Sequence, residues 1–82
     1  MLLLISFKGK KIWKLNIDNN RTLLDLKNQI INHYDLGNKK INIKNGNDIL
    51  DEASDSKTLA DLNIVKYVQV IQVYKPGIFF DY

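Results

Sequence analysis

Apolar and polar residues alternate with period two near both ends of the chain and follow helical spacing in between. Residues 1–7 are an apolar run in which Met1, Leu3, Ile5 and Phe7 share one face and Leu2, Leu4 and Ser6 the other. Lys8-Gly9-Lys10 interrupts it, and residues 11–17 alternate again, with Trp13, Leu15 and Ile17 on one face and Ile12, Lys14 and Asn16 on the other. Two such runs joined by a short Gly-containing turn predict a β-hairpin. Thr22 then offers a hydroxyl N-cap, with Asp25 three residues on, where a carboxylate suits the positive end of a helix. Leu23, Leu26, Ile30 and Tyr34 form one stripe, predicting a helix over 23–35, with Gly37 as its stop. Ile41 and Ile43 mark a strand over 40–44, followed by an Asn45-Gly46-Asn47 turn and a short return strand at 48–50. Residues 51–57 read as polar loop and 58–62 as a single helical turn. Residues 67–74 read as a last strand whose alternation is imperfect. Val68 and Val70 share one phase, Ile71 and Val73 the other, so a bulge sits near 70–71 or both faces are covered.

This order, hairpin, helix, strand, short strand, short helical turn and strand, predicts an α+β protein with the β-grasp arrangement. A mixed sheet of four or five strands is crossed on one face by one main helix. Leu26, Ile30, Trp13, Leu15 and Ile64 are expected between the two. The domain is expected to occupy 1–75, with 76–82 as an apolar C-terminal tail beyond the Pro76-Gly77 break.

Composition narrows the function more than the fold. At 82 residues the chain has room for about one core. It contains no Cys, which excludes disulfides, thiol catalysis and cysteine-based metal sites. No run of about 18 apolar residues is present, and the first seven residues are too short for a signal-peptide core. These features point to an intracellular protein of unspecified compartment, with no membrane segment. The net charge of +3 permits acidic partners without requiring nucleic acid. Ten Asn, eleven Lys and eleven Ile stand against one Arg and one Glu. All three abundant types have AT-rich codons, so a local Lys or Asn cluster carries less weight. One Arg is poor material for a nucleic-acid face, and Lys8, Lys10, Lys39, Lys40 and Lys44 read first as solvated surface.

Candidate chemistry is sparse. His33 is the single histidine and, near a helix C-terminus, reads as a solvated residue facing the negative end. Ser6, Ser54 and Ser56 have no neighbouring base. Asp48, Asp51, Glu52 and Asp55 lack the regular spacing and Gly of a calcium loop. Trp13 and Tyr34 read as core. The expectation is therefore a non-enzymatic protein with no cofactor, no metal and no small-molecule substrate.

The residues from Met1 to Leu50, with Thr22, Lys27 and Ile30 at matching helix positions, resemble ubiquitin and its relatives. The segment Thr58-Leu59-Ala60-Asp61-Leu62-Asn63-Ile64 resembles that family's Thr-Leu-Ser-Asp-Tyr-Asn-Ile. The resemblance spans about residues 1–75 and implies a β-grasp fold and a protein–protein function. It departs where the family does its chemistry. Conjugated members end in Gly-Gly, whereas here Lys75-Pro76-Gly77 is followed by Ile78-Phe79-Phe80-Asp81-Tyr82. The family's apolar receptor patch corresponds to Lys8, Lys44, Gln69 and Ile71, three of them polar, so ordinary ubiquitin receptors are not expected to bind. Of its chain-linking lysines Lys11 and Lys27 persist and Lys66 matches a third, but Ser6, Gln29, His33 and Asp48 replace others. Gly9-Lys10-Lys11 and Thr22-Leu23-Leu24-Asp25-Leu26-Lys27 also resemble the small splicing-associated ubiquitin-like proteins, which act without conjugation and end in a Tyr pair; only Tyr74 stands here.

The expected function is a ubiquitin-like protein-interaction module, a free adaptor or a subunit of a larger assembly. The alternative is a covalent modifier matured by cleavage after Gly77. The expected partner-binding residues are Leu2, Leu4, Ile12, Ile71 and Val73 on the outer sheet face, Lys8 and Lys44 at its rim, and Ile78, Phe79, Phe80 and Tyr82 in the tail. Leu24 and Ile31 form a second apolar pair beside the core stripe of the helix. The tail, too apolar to leave in water, would fold back, enter a further domain or pack on a partner. The last is the favoured reading.

Overall fold

A computed structural model describes residues 1–73 of the chain. In chain order it contains strands β1 (Leu2–Phe7) and β2 (Trp13–Asn16), helix α1 (Leu23–His33), strands β3 (Ile41–Asn45) and β4 (Asp48–Leu50), a 3-10 turn at Glu52–Ser54, and strand β5 (Tyr67–Gln72). The strands form one five-stranded sheet in the order β2-β1-β5-β3-β4. β1 and β5 run parallel at its centre, and the other neighbours are antiparallel. The helix crosses one face, an α+β layout compatible with a β-grasp fold.

The first hairpin forms because Gly9, at φ 77°, takes a conformation that costs other residues strain. Gly46, at φ 63°, is the first of two residues between β3 and β4, the φ sign pattern of a type II′ hairpin turn. At the start of α1, Thr22 Oγ1 accepts the Asp25 amide at 3.2 Å, as its N-cap position predicts. The next orphan amides, Leu23 and Leu24, donate to the carbonyls of Lys57 and Asp55. The loop before β5 therefore closes the helix start, and a bridge between Thr22 and Thr58 fixes it there.

The helix stop differs from the expectation. Asp35, not Gly37, takes the first left-handed position, at φ 55°. The Leu36 amide donates to the Ile31 carbonyl at 2.9 Å and the Asp35 amide to the Asn32 carbonyl at 3.4 Å. These are the paired bonds of a Schellman motif, with Asp at the position Gly usually fills. A short polar side chain tolerates that conformation, so the left-handed stop falls two residues before the glycine and the helix ends at His33.

The core lies between α1 and the inner sheet face. Leu3, Ile5, Phe7, Ile17, Leu23, Leu26, Ile30, Ile41, Ile43, Leu59, Ile64, Val68 and Val70 are buried in it. Trp13 and Leu15, expected inside, are half-buried because β2 is an edge strand. The last strand has no bulge near 70–71. Its pairing runs unbroken from Tyr67 to Val70 against β1 and from Gln69 to Gln72 against β3. The mixed apolar phase means that both faces of β5 carry apolar residues.

At the hairpin end of the core, Tyr34 packs edge-on against Phe7 with ring centroids 4.9 Å apart. Trp13 approaches Tyr34 at 6.0 Å and stacks flat on His33 at 3.7 Å. His33 is exposed, as expected near a helix end, but its ring serves as a lid over the tryptophan edge of the core. The Tyr34 hydroxyl is buried with no hydrogen-bond partner among the described residues, and burial raises its pKa above the usual 10.0. Ionisation is thus harder in the folded than in the unfolded chain. The stabilising difference is complete below the ordinary tyrosine pKa and is lost as pH rises above it. Tyr34→Phe should leave neutral-pH stability unchanged or raised by roughly 1 kcal/mol, since no bond is lost and a buried unpaired hydroxyl is removed. In urea titrations it should also flatten the fall in stability above pH 10. A steeper fall in the variant would mean that the hydroxyl has a partner.

Candidate functional site

The sheet face opposite the helix is open, and pairing register fixes what it presents. Side chains alternate along each strand. With Leu3, Ile5, Phe7, Val68 and Val70 inside, Leu2, Leu4, Ser6, Tyr67, Gln69 and Ile71 point outward. Leu4 is flanked by Lys14 on β2 and Tyr67 on β5. Ser6 lies beside Gln69, which lies beside Lys44, which lies beside Ile49. Asn42 sits next to Ile71.

The expected patch is therefore divided. Leu2 and Leu4 come together, and Tyr67 completes the cluster. Leu2 is 51% exposed and Tyr67 47%, while Leu4 between them is half-buried by its neighbours. Ile12 is exposed in the same phase as Lys14, just outside β2. Ile71 is half-buried on this face but separated from Leu4 and Tyr67 by the polar Ser6–Gln69 pair. Lys44 is half-buried in the middle of the face, and Lys8 is exposed beyond the end of β1. Val73 does not join Leu2 and Leu4. It lies beyond the last residue of β5, its amide donating to the Lys40 carbonyl, and lines a groove between α1 and β3. Ile78, Phe79, Phe80 and Tyr82, and the boundary at Pro76-Gly77, lie outside the described residues.

Tyr67 and Ile49, both exposed on this face, are the contributions absent from the expected set. The signal for Tyr67 was its phase, shared with Ile71. For Ile49 the three-residue strand β4 is too short to show an alternation.

The groove beside the helix measures about 270 Å³. Leu24, Ile31, Ile41 and Val73 supply its apolar walls. Two ion pairs cross it. The buried Lys27 ammonium meets Asp55 Oδ1 at 2.6 Å, and the more exposed Lys40 meets Glu52 Oε2 at 3.0 Å. The Lys27 amine is enclosed by this pair and not presented to solvent. Asp51 caps the 3-10 turn by accepting the Ala53 amide. Each acid of the 51–55 group thus has a structural task, and no group of three or more metal-ligating side chains is present among the described residues. No described helix is long and apolar enough to cross a membrane.

No protein-family model matches the chain, and no curated protein matches it either.

Proposed function

We propose that this protein is a non-enzymatic, ubiquitin-like interaction module that binds another protein through its open sheet face. The observation that carries this reading is the contiguous cluster Leu2, Leu4 and Tyr67. It sits on a rigid sheet, is substantially exposed, and is uncovered by any described helix or loop. Exposed apolar clusters with a polar surround are the usual form of a protein-binding site, and the tyrosine in this one supplies large contact area with little entropy to lose. The central Lys44 and the peripheral Lys8 replace the apolar contact of ubiquitin, so the partner differs from ordinary ubiquitin receptors. The tail residues Ile78, Phe79, Phe80 and Tyr82 add one aliphatic and three aromatic anchors to the same association.

The test is affinity capture from the native source with three variants compared against wild type. Tyr67→Ser and Leu4→Ser should each abolish or weaken by at least about tenfold the capture of the wild-type partner, whereas Leu24→Ser, in the helix groove, should not. Capture that survives both sheet variants and fails with Leu24→Ser would move the site to the groove. The intact mass of the native protein separates this reading from the modifier alternative. A chain ending at Gly77, or an adduct through it, would support conjugation.

A further inference from the structure

Among the described residues the open sheet face carries lysines and no carboxylates. Of the eleven outward-pointing strand residues two are lysines, Lys14 and Lys44, and none is acidic. Lys8, Lys10 and Lys11 extend the charge from the hairpin turn, and Lys66 from the residue before β5. None of these six has an ion-pair partner among the described residues. The acids are elsewhere: on α1, in the loops at 18, 35, 51–55 and 61, and at Asp48, whose phase is opposite to that of Ile49. Arg21, Lys27 and Lys40, away from this face, are each ion-paired. Lys39 and Lys57, in loops off this face, are also without an ion pair, so six of the eight unpaired lysines among the described residues lie on the sheet face or at the ends of its strands.

Their placement is specific. Lys14 and Lys44 stand on strands three steps apart in the sheet order and two residues apart along it. At the ordinary strand spacing and rise this is about 16 Å. The line between them crosses β1 nearest Leu4 and β5 nearest Gln69, along the edge of the Leu4–Tyr67 pair. An extended peptide covers that distance in about five residues.

Resting on the sheet-face reading above, we propose that the partner segment is acidic. An extended stretch carries carboxylates four residues apart, on the one face that an alternating backbone turns to the sheet, and the long side chains of Lys14 and Lys44 lean in to meet them. A large apolar side chain between them sits on the Leu4–Tyr67 cluster. The lysines steer the encounter, and the apolar centre slows dissociation. Aliphatic neighbours around a single exposed tyrosine fit a protein anchor better than a run of stacked bases, which needs several aromatic platforms.

The experiment is selection of a random displayed peptide library on the immobilised full chain. Affinities of the enriched peptides are then measured, and their sites mapped by backbone amide shifts. The expected result is enrichment of acid-flanked apolar sequences, with shifts at Leu4, Ser6, Tyr67 and Gln69. Affinity should fall about tenfold or more in the Lys14→Glu/Lys44→Glu protein and weaken as salt is raised. Both substitutions are on exposed or half-exposed positions, and a thermal melt confirms folding. Enriched peptides without acids that still map to Leu4 and Tyr67 would overturn the acidic partner and leave the sheet-face reading standing. Shifts confined to the Leu24 and Ile31 groove would overturn both. No enrichment, or tighter binding to phosphatidylserine vesicles or poly-uridine than to any peptide, would overturn the acidic protein segment.

Discussion

Ile30→Ala should cost roughly 2–5 kcal/mol of folding stability. Ile30 is fully enclosed, on the helix face that meets the sheet, among Leu26, Ile43 and Val68 in the same buried cluster. Truncation removes its transfer free energy and leaves a cavity that a helix pinned at its start by Thr22 and the 55–57 loop cannot close. A domain of this size is stable by only about 4–12 kcal/mol, so the variant should lose a large share of its stability. The midpoint of urea unfolding should fall with little change in slope. Ile31→Ala provides the comparison, because Ile31 is half-buried at the groove and should lose clearly less. Equal losses at the two positions would mean that the helix does not seat on the sheet through its Leu26–Ile30 face.

The same stripe explains why the fold was legible in the sequence. Thr22 as cap, apolar residues at 23, 26 and 30, and alternation in the first two strands are local patterns that one buried face imposes, and each element formed where its pattern lies. What was not legible depended on choices that local pattern does not make. The helix end passed to Asp35 because a Schellman pair of hydrogen bonds, not the nearest glycine, fixed it. The last strand's double phase could be read as a bulge or as two apolar faces, and only its pairing with both β1 and β3 decided that. The candidate site depended on pairing in the same way. Leu2 and Leu4 were visible as outward residues, but their neighbour Tyr67 comes from the far end of the chain, and register put Ser6 and Gln69 between them and Ile71. The stacking of His33 on Trp13 joins a helix end to an edge strand and has no signature in spacing.

The buried ion pair gives the second large effect, and its two halves should not be equivalent. Lys27 is drawn into the helix-side groove by its neighbours on α1, and only 7% of its side chain remains exposed, whereas Asp55 keeps 25%. Asp55→Ala strands an ammonium group in a poorly solvated place. Breaking such a pair from one side costs about 3–5 kcal/mol, and the groove's opening to water should hold the loss near the lower end. Lys27→Met instead replaces the enclosed chain by an apolar one of similar length and leaves the carboxylate on the side that water can reach. Its cost should be about 0–2 kcal/mol, because removing the lysine also removes its desolvation penalty. The Asp55 loop also closes the start of α1, through its carbonyl on the Leu24 amide. Loss of the pair should therefore loosen that end first, visible as faster amide exchange at Leu23 and Leu24 in Asp55→Ala than in Lys27→Met. Equal costs in chemical denaturation, with equal exchange at the helix start, would show that the pair is solvated enough to behave as a surface bridge.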